Sequence, residues 1–81
     1  MMKIEVLGPG CANCQRLEAS AREAVAIAGV DAEIVKVSDY AQIAAYGVMS
    51  TPGLVIDGRV VSAGRLPSPE LIAEWLTPRG A

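Results

Sequence analysis

Cysteine occurs twice in this chain of 81 residues, at Cys11 and Cys14, with Ala12 and Asn13 between them. Two thiols at this spacing have three uses: a disulfide that forms and breaks as a redox switch, half of a thiolate metal site, or a structural staple. The staple is the weakest of the three, because so small a loop constrains the unfolded chain little and stable disulfides are rare in a cytosol. A metal carrier is the main rival, since two thiolates suit linear Cu(I), whereas a four-thiolate zinc or iron-sulfur site would need cysteines from a second molecule. Histidine is absent. The usual general base and the commonest metal ligand are therefore missing, and chemistry falls to the thiols or to carboxylates.

What the thiols do depends on the elements that hold them. Lys3 to Leu7 (KIEVL) is rich in branched apolar residues and is stopped by Gly8-Pro9-Gly10, which reads as a short, largely buried strand and a tight turn. From Ala12 to Ala28 helix formers predominate, with apolar residues at Leu17, Ala21, Val25 and Ala28 and a stop at Gly29. Cys11 falls at the helix N-terminus and Cys14 one turn inside. The free N–H groups and dipole of a first turn stabilise an anion, so a thiol with an ordinary pKa of about 8.5 can come down to roughly 7 or lower there. Cys11 is thus the attacking residue. Cys14, facing inward, stays protonated until Cys11 has formed a mixed disulfide with a target, and then resolves it, leaving Cys11 and Cys14 joined.

Ala32 to Val37 (AEIVKV) is a second strand, parallel to the first across the helical crossover. Ser38 and Asp39 offer an N-cap for a shorter helix running through Tyr46 and ended by Gly47. After VMSTPG, Leu54 to Ile56 and Arg59 to Ala63 flank Asp57-Gly58, a strong hairpin signal. Ser68-Pro69-Glu70 opens a last helix that carries Leu71, Ile72, Trp75 and Leu76. The order β-α-β-α-β-β-α, with no linker or internal repeat, makes one compact α/β domain over residues 1–81.

A CxxC between the first strand and the first helix, Thr51-Pro52 directly before the hairpin, and Gly64 before the last helix resemble the thioredoxin and glutaredoxin superfamily. The chain is similar in particular to the small thioredoxin-like proteins called redox-active disulfide protein 2, whose start reads much like GxGCANC. The resemblance covers nearly the whole sequence. It implies a thioredoxin-like fold with a four-stranded mixed sheet in the order 2-1-3-4 flanked by three helices, and thiol-disulfide oxidoreductase or redox-carrier activity. It also implies no cofactor beyond the Cys11–Cys14 redox-active disulfide, and as partners disulfide-containing proteins and a flavoprotein of the thioredoxin reductase type. By the same resemblance Pro52 is cis and packs beside the disulfide, while Thr51 and Gly10 join it in binding substrate. The physical sense is that X-Pro is the one inexpensive cis peptide, and an extended substrate segment can add to the Thr51 backbone as an edge strand. Departures from the thioredoxin pattern WCGPC stand at Gly10, Ala12 and Asn13, where an aromatic, a glycine and a proline would be.

Glu5 lies six residues before Cys11, where thioredoxins carry a buried acid that assists proton transfer from the second cysteine. If buried, it would have a raised pKa and could act in the same way. Period-two alternation with Ile4 and Val6 turned inward argues instead for a solvent-facing side chain. Arg65 reads as a solvated surface residue, Tyr40 and Tyr46 as framing the edge of the core, and Trp75 as core of the last helix.

Bulk properties exclude other classes. With 52% hydrophobic and 20% charged residues the chain is a folded globule. No apolar run approaches a membrane span, and MMKIEV lacks the form of a signal peptide, so the protein reads as soluble and cytoplasmic; a monomer is the expected state. A net charge of −2 and a scatter of single Lys and Arg residues leave no stripe for nucleic acid. Soft-metal carrier domains of this size run β-α-β-β-α-β and end in a strand, unlike this order. A pure interaction module on the same scaffold would not need the cysteine pair.

Overall fold

The computed structural model describes residues 2–77; of the single domain expected over residues 1–81, residues 1 and 78–81 lie outside that part. The elements are β1 (Met2–Leu7), α1 (Ala12–Ala28), β2 (Ala32–Val37), α2 (Tyr40–Ala45), β3 (Gly53–Ile56), β4 (Arg59–Ala63) and α3 (Pro69–Leu76). The four strands form one sheet in the order β2-β1-β3-β4, with β1 parallel to β2 and antiparallel to β3, and β4 antiparallel at the edge. This is the mixed sheet with three helices of a thioredoxin-like α/β fold.

β1 is an inner strand, and helices cover both faces of the sheet around it. On one face α1 and α3 pack side by side over Ile4, Val6, Leu54 and Ile56. The stripe that α1 buries is Cys14, Leu17, Ala21 and Ala24, phased slightly earlier than the expected stripe, so that Val25 and Ala28 are only half-buried. Small side chains at Ala21 and Ala24 allow α3 to approach closely through Ile72, Ala73 and Leu76, and this neighbour sets the phase. On the other face α2 and the following loop bring Ile43 and Val48 onto Leu7, Val37 and Val55. Because both faces are covered, Ile4, Glu5, Val6 and Leu7 are all buried in succession. The solvent-facing place expected for Glu5 does not exist: alternation is kept, but the second face is covered too.

Local signals end the elements much as expected. The Asp39 side chain accepts from Ala41 N at 2.8 Å, and Ser68 Oγ from Leu71 N at 3.2 Å with Pro69 in the first turn. Asp57 (φ 50°) and Gly58 (φ 83°) make the tight turn of the β3–β4 hairpin, and Asp57 Oδ1 accepts from Lys3 N at 2.8 Å, tying the turn to β1. α2 stops at Ala45 rather than running through Tyr46, whose N–H turns back to Ile43 O at 3.2 Å as the helix tightens at its end. Tyr40, at the start of α2, is exposed rather than at the core edge, and Leu71 points outward from α3 beside the buried Ile72.

Two backbone hydrogen bonds tie down the loops near the C-terminal end of β1. Gly8 N donates to Val37 O at 2.8 Å, and Gly64 N donates to Pro52 O at 2.8 Å. The first ties the loop at residues 8–11 to the end of β2, and the second ties the loop at residues 47–52 to the segment after β4.

Candidate active site

Cys11 is the N-cap of α1. Its backbone is extended (φ −67°, ψ 169°), and its Sγ accepts from Cys14 N at 3.3 Å, the position that an Asp or Ser oxygen takes at an ordinary cap. Sulfur thus stands in the cap and faces the free N–H groups of the first turn. Cys11 is exposed and Cys14 is buried, with 5% of its surface accessible, and both are free thiols. The Cys11 thiol is held below its ordinary pKa, chiefly by a hydrogen bond from the Cys14 side chain and then by the backbone N–H groups of Cys14 and Asn13. Burial pushes the Cys14 thiol up, and its hydrogen bond to Cys11 adds to the rise. The two sulfurs of one CxxC are therefore moved apart in acidity.

A measurable consequence follows for Cys11. Lowering the pKa of a thiol enlarges its thiolate fraction at every pH below the ordinary value, and only the thiolate alkylates. Iodoacetamide should modify Cys11 with a rate whose midpoint lies below that of free cysteine. In Cys14→Ala the alkylation midpoint of Cys11 should move upward, because the largest stabilising hydrogen bond is removed. A Cys11 midpoint at or above that of free cysteine in the wild type would contradict the geometry.

The loop before β3 forms the wall facing the thiols. Thr51-Pro52 is a cis peptide; Pro52 is buried, and Thr51 is exposed. Gly8 links this wall to the cysteines: a Cβ built on it would collide with Cys14 Sγ, and would lie 3.4 Å from Cys14 Cβ and 3.8 Å from Thr51 Cβ. Gly10, in the left-handed region at φ 91°, makes the exposed turn into Cys11. On the far side, Gly64 approaches Ser50 so closely that a Cβ there would stand 2.8 Å from Ser50 Cβ. Both glycines are spacers that let two loops meet.

Cys14 also lines a cavity of about 270 Å³ with Val6, Gly8, Gln15, Glu18 and Lys36. Glu18, one turn after Cys14 on α1, keeps 17% of its side chain accessible. Arg22 grips one carboxylate oxygen, with Nη2 at 2.8 Å and Nε at 3.2 Å, and Lys36 Nζ lies 3.6 Å from the other. The Arg22 hydrogen bond, more than any other contact, holds the Glu18 carboxyl below the usual range.

The whole described chain, residues 2–77, matches the family model described as Thioredoxin domain. The chain belongs to the thioredoxin family. It is 48% identical over 77 residues to a curated protein named Thioredoxin from Methanothermobacter thermautotrophicus, covering 95% of this chain and 100% of that relative. A second protein of that name, from Methanocaldococcus jannaschii, is 42% identical over 76 residues, 94% of this chain and 87% of the relative. Thioredoxin-family membership and the Cys11–Cys14 motif make the protein a thiol-disulfide oxidoreductase, and disulfides are its substrates.

Against this thioredoxin frame, Cys11, Cys14, Gly10, Thr51 and Pro52 meet at one end of the sheet. Glu5 is not among them. It is buried, with 7% of its surface accessible, but on the α2 face, where Tyr46 Oη donates to its Oε2 at 2.8 Å and Lys3 Nζ lies 3.5 Å from Oε1. The cavity beside it is lined by Val35, Val37 and Tyr46, separate from the one that holds Cys14. That hydrogen bond also keeps the Tyr46 hydroxyl protonated above its ordinary range, with Glu5 as the main cause. Arg65 is exposed as expected, and Trp75 is half-buried at the margin of the core. The residues overlooked in the sequence are Gly8 and Glu18. Glu18 had a signal, the i,i+4 spacing from Cys14 that puts both on one helix face; the need for glycine at position 8 had none, because the collision is with a side chain on another element.

Among the described residues no helix is long and apolar enough to cross a membrane, and no three His, Cys, Asp or Glu side chains cluster as metal ligands.

Proposed function

We propose that Cys11 is the attacking thiolate and Cys14 the resolving thiol of a two-electron exchange with disulfide-containing proteins in the cytoplasm. The observation that carries this reading is the inequality of the two sulfurs: Cys11 exposed and capping a helix, Cys14 buried one turn on, with the Cys14 N–H on Cys11 Sγ. Cys11 thiolate attacks one sulfur of the substrate disulfide, and the other leaves as a thiolate that takes a proton. Cys14 then attacks Cys11 Sγ, the bond to the substrate breaks, and an internal disulfide remains. That disulfide serves as the only redox group, with no further cofactor. Thr51 offers its exposed backbone to an extended substrate segment while Pro52 and Gly10 shape the wall around it. A flavoprotein of the thioredoxin reductase type returns the electrons, and the monomer is the working unit.

A redox titration of the purified protein, with thiols trapped by maleimide at each potential, tests the assignment. The expected result is a single reversible couple in which both cysteines are blocked together or not at all, fitting two electrons. Thiols that never pair, together with tight binding of one Cu(I) per chain, would transfer the pair to a metal-carrier role.

A further inference from the structure

Glu5 is a buried carboxylate on an inner strand of the sheet, beside a cavity that neither cysteine lines. Enclosing a charge is unfavourable unless fixed partners replace its water. Here Tyr46 Oη donates to Glu5 Oε2 at 2.8 Å, and Lys3 Nζ stands 3.5 Å from Oε1. An apolar pair would fill the same space between β1 and the end of α2 without that penalty, so the polar pair has to contribute something that burial alone does not. What a hydrogen bond adds to packing is a defined position.

We propose that Tyr46 is a positioning residue for substrate binding: its hydrogen bond to Glu5 holds the loop that carries Thr51 and Pro52 in place against the strand that leads to the thiols. The inference rests on the reading above in which that loop receives an extended substrate segment. Three observations support it. Tyr46 is the residue at which α2 ends, and Gly47, in the left-handed region at φ 77°, turns the chain directly into residues 48–52. Glu5 lies on β1, which ends at Leu7 and is followed by Gly8 and then by the cap at Cys11, so a bond between residues 41 positions apart joins the two sides of the site. Beyond Tyr46 the loop is held by the Val48 side chain, in the core with Leu7 and Val55, and by Gly64 N on Pro52 O at 2.8 Å, while Met49, Ser50 and Thr51 are exposed. The Val48 contact is non-directional; the Tyr46 bond fixes where along β1 the loop begins.

Two substrates read the role together. Insulin, reduced with dithiothreitol as the electron source, offers peptide backbone to the Thr51 wall, whereas the small aromatic disulfide 5,5′-dithiobis(2-nitrobenzoate) offers none. In Tyr46→Phe the KM for insulin should rise about fivefold with kcat retained, while both thionitrobenzoate releases, from attack by Cys11 and resolution by Cys14, keep their wild-type rates. Glu5→Gln, whose side-chain carbonyl still accepts from Tyr46, should keep an insulin KM within about twofold of wild type. Stability separates positioning from mere support. Tyr46→Phe leaves the Glu5 carboxylate short of a partner and should lower the urea midpoint; Tyr46→Phe/Glu5→Leu, apolar on both sides, should bring the midpoint back near the wild-type value with the KM still raised. A purely structural bond predicts instead that KM recovers along with the midpoint, and that result overturns the proposal. So does a wild-type insulin KM in Tyr46→Phe, an equal slowing of insulin and the small disulfide, or a KM raised as far in Glu5→Gln as in Tyr46→Phe. Should Tyr46→Phe fail to fold, the double variant carries the test by the same KM comparison. An insulin KM unchanged in Pro52→Ala would sink the wall reading itself, and this proposal with it; a raised KM there beside a normal one in Tyr46→Phe would sink this proposal alone.

Discussion

Cys14→Ser should leave a protein that captures disulfide substrates and cannot release them. Cys11 keeps its exposed place at the cap of α1 and the backbone N–H groups that stabilise its thiolate, so the first exchange proceeds. Serine in place of the buried thiol cannot attack the mixed disulfide, and the covalent complex accumulates until an external thiol cleaves it. Cys11→Ser should behave in the opposite way, with no complex and disulfide reduction at the uncatalysed background, because Cys14 is buried and its thiol is pushed up. Non-reducing electrophoresis with a protein disulfide substrate reads both variants at once. The assignment fails if the complexes gather in Cys11→Ser, or if either single variant turns over at the wild-type rate.

Gly8→Ala should damage the site without touching either cysteine. Gly8 does not need glycine for its φ angle, which lies outside the left-handed region that Gly10, Gly29, Gly47, Gly58 and Gly64 adopt. It needs glycine because a methyl group there would occupy the place of Cys14 Sγ and also press toward the Thr51 wall. Gly8 N is bonded to Val37 O, so the backbone cannot easily retreat, and Cys14 on the rigid first turn of α1 has to yield. Overpacking of this kind costs about 1–3 kcal/mol, visible as a lower urea midpoint. The more telling readout is kinetic: with 5,5′-dithiobis(2-nitrobenzoate) as substrate, the thionitrobenzoate released when Cys14 resolves the mixed disulfide should appear far more slowly than the one released when Cys11 attacks, since Cys14 is displaced while Cys11 is not. Unchanged stability and unchanged second-phase kinetics in Gly8→Ala would show that Cys14 does not sit against Gly8.

These two variants divide the site into what was readable in the sequence and what was not. The chemistry of Cys11 follows from a strand, a glycine-rich turn and a helix start within about a dozen residues, all of them local signals, and the structure places its sulfur in the cap itself. The turn at Asp57-Gly58 and the caps at Asp39 and Ser68 are of the same kind, each decided by side chains that bond within two or three residues. The phase of the buried stripe on α1 was less legible. Val25 and Ala24 both suit an apolar stripe, and the choice between them is made by α3, whose chain position lies more than forty residues away.

Glu5 shows the limit most clearly. Alternation along β1 correctly sets it opposite Ile4 and Val6, yet it cannot say whether the opposite face meets water or a helix. Here α2 covers that face, and Tyr46 and Lys3 satisfy the carboxylate that is enclosed there. Trp75 and Tyr40 differ from expectation for a related reason. Each is apolar enough to be buried, and neighbours from other elements cover the first only in part and the second hardly at all.

The sequence by itself therefore determined the pair of thiols, the helix start that holds the first of them and the order of elements, because helix starts, turns and caps depend on groups a few bonds apart. Only the tertiary structure decided which residues stand around the sulfurs. It closed Gly8 against Cys14, brought Thr51 and Pro52 to the same end of the sheet, sent Glu5 to the far face and left Glu18 in the cavity beside the buried thiol. Those placements depend on which faces pack together, and packing is settled by contacts between elements distant in the chain, for which the local pattern of residue types holds no record.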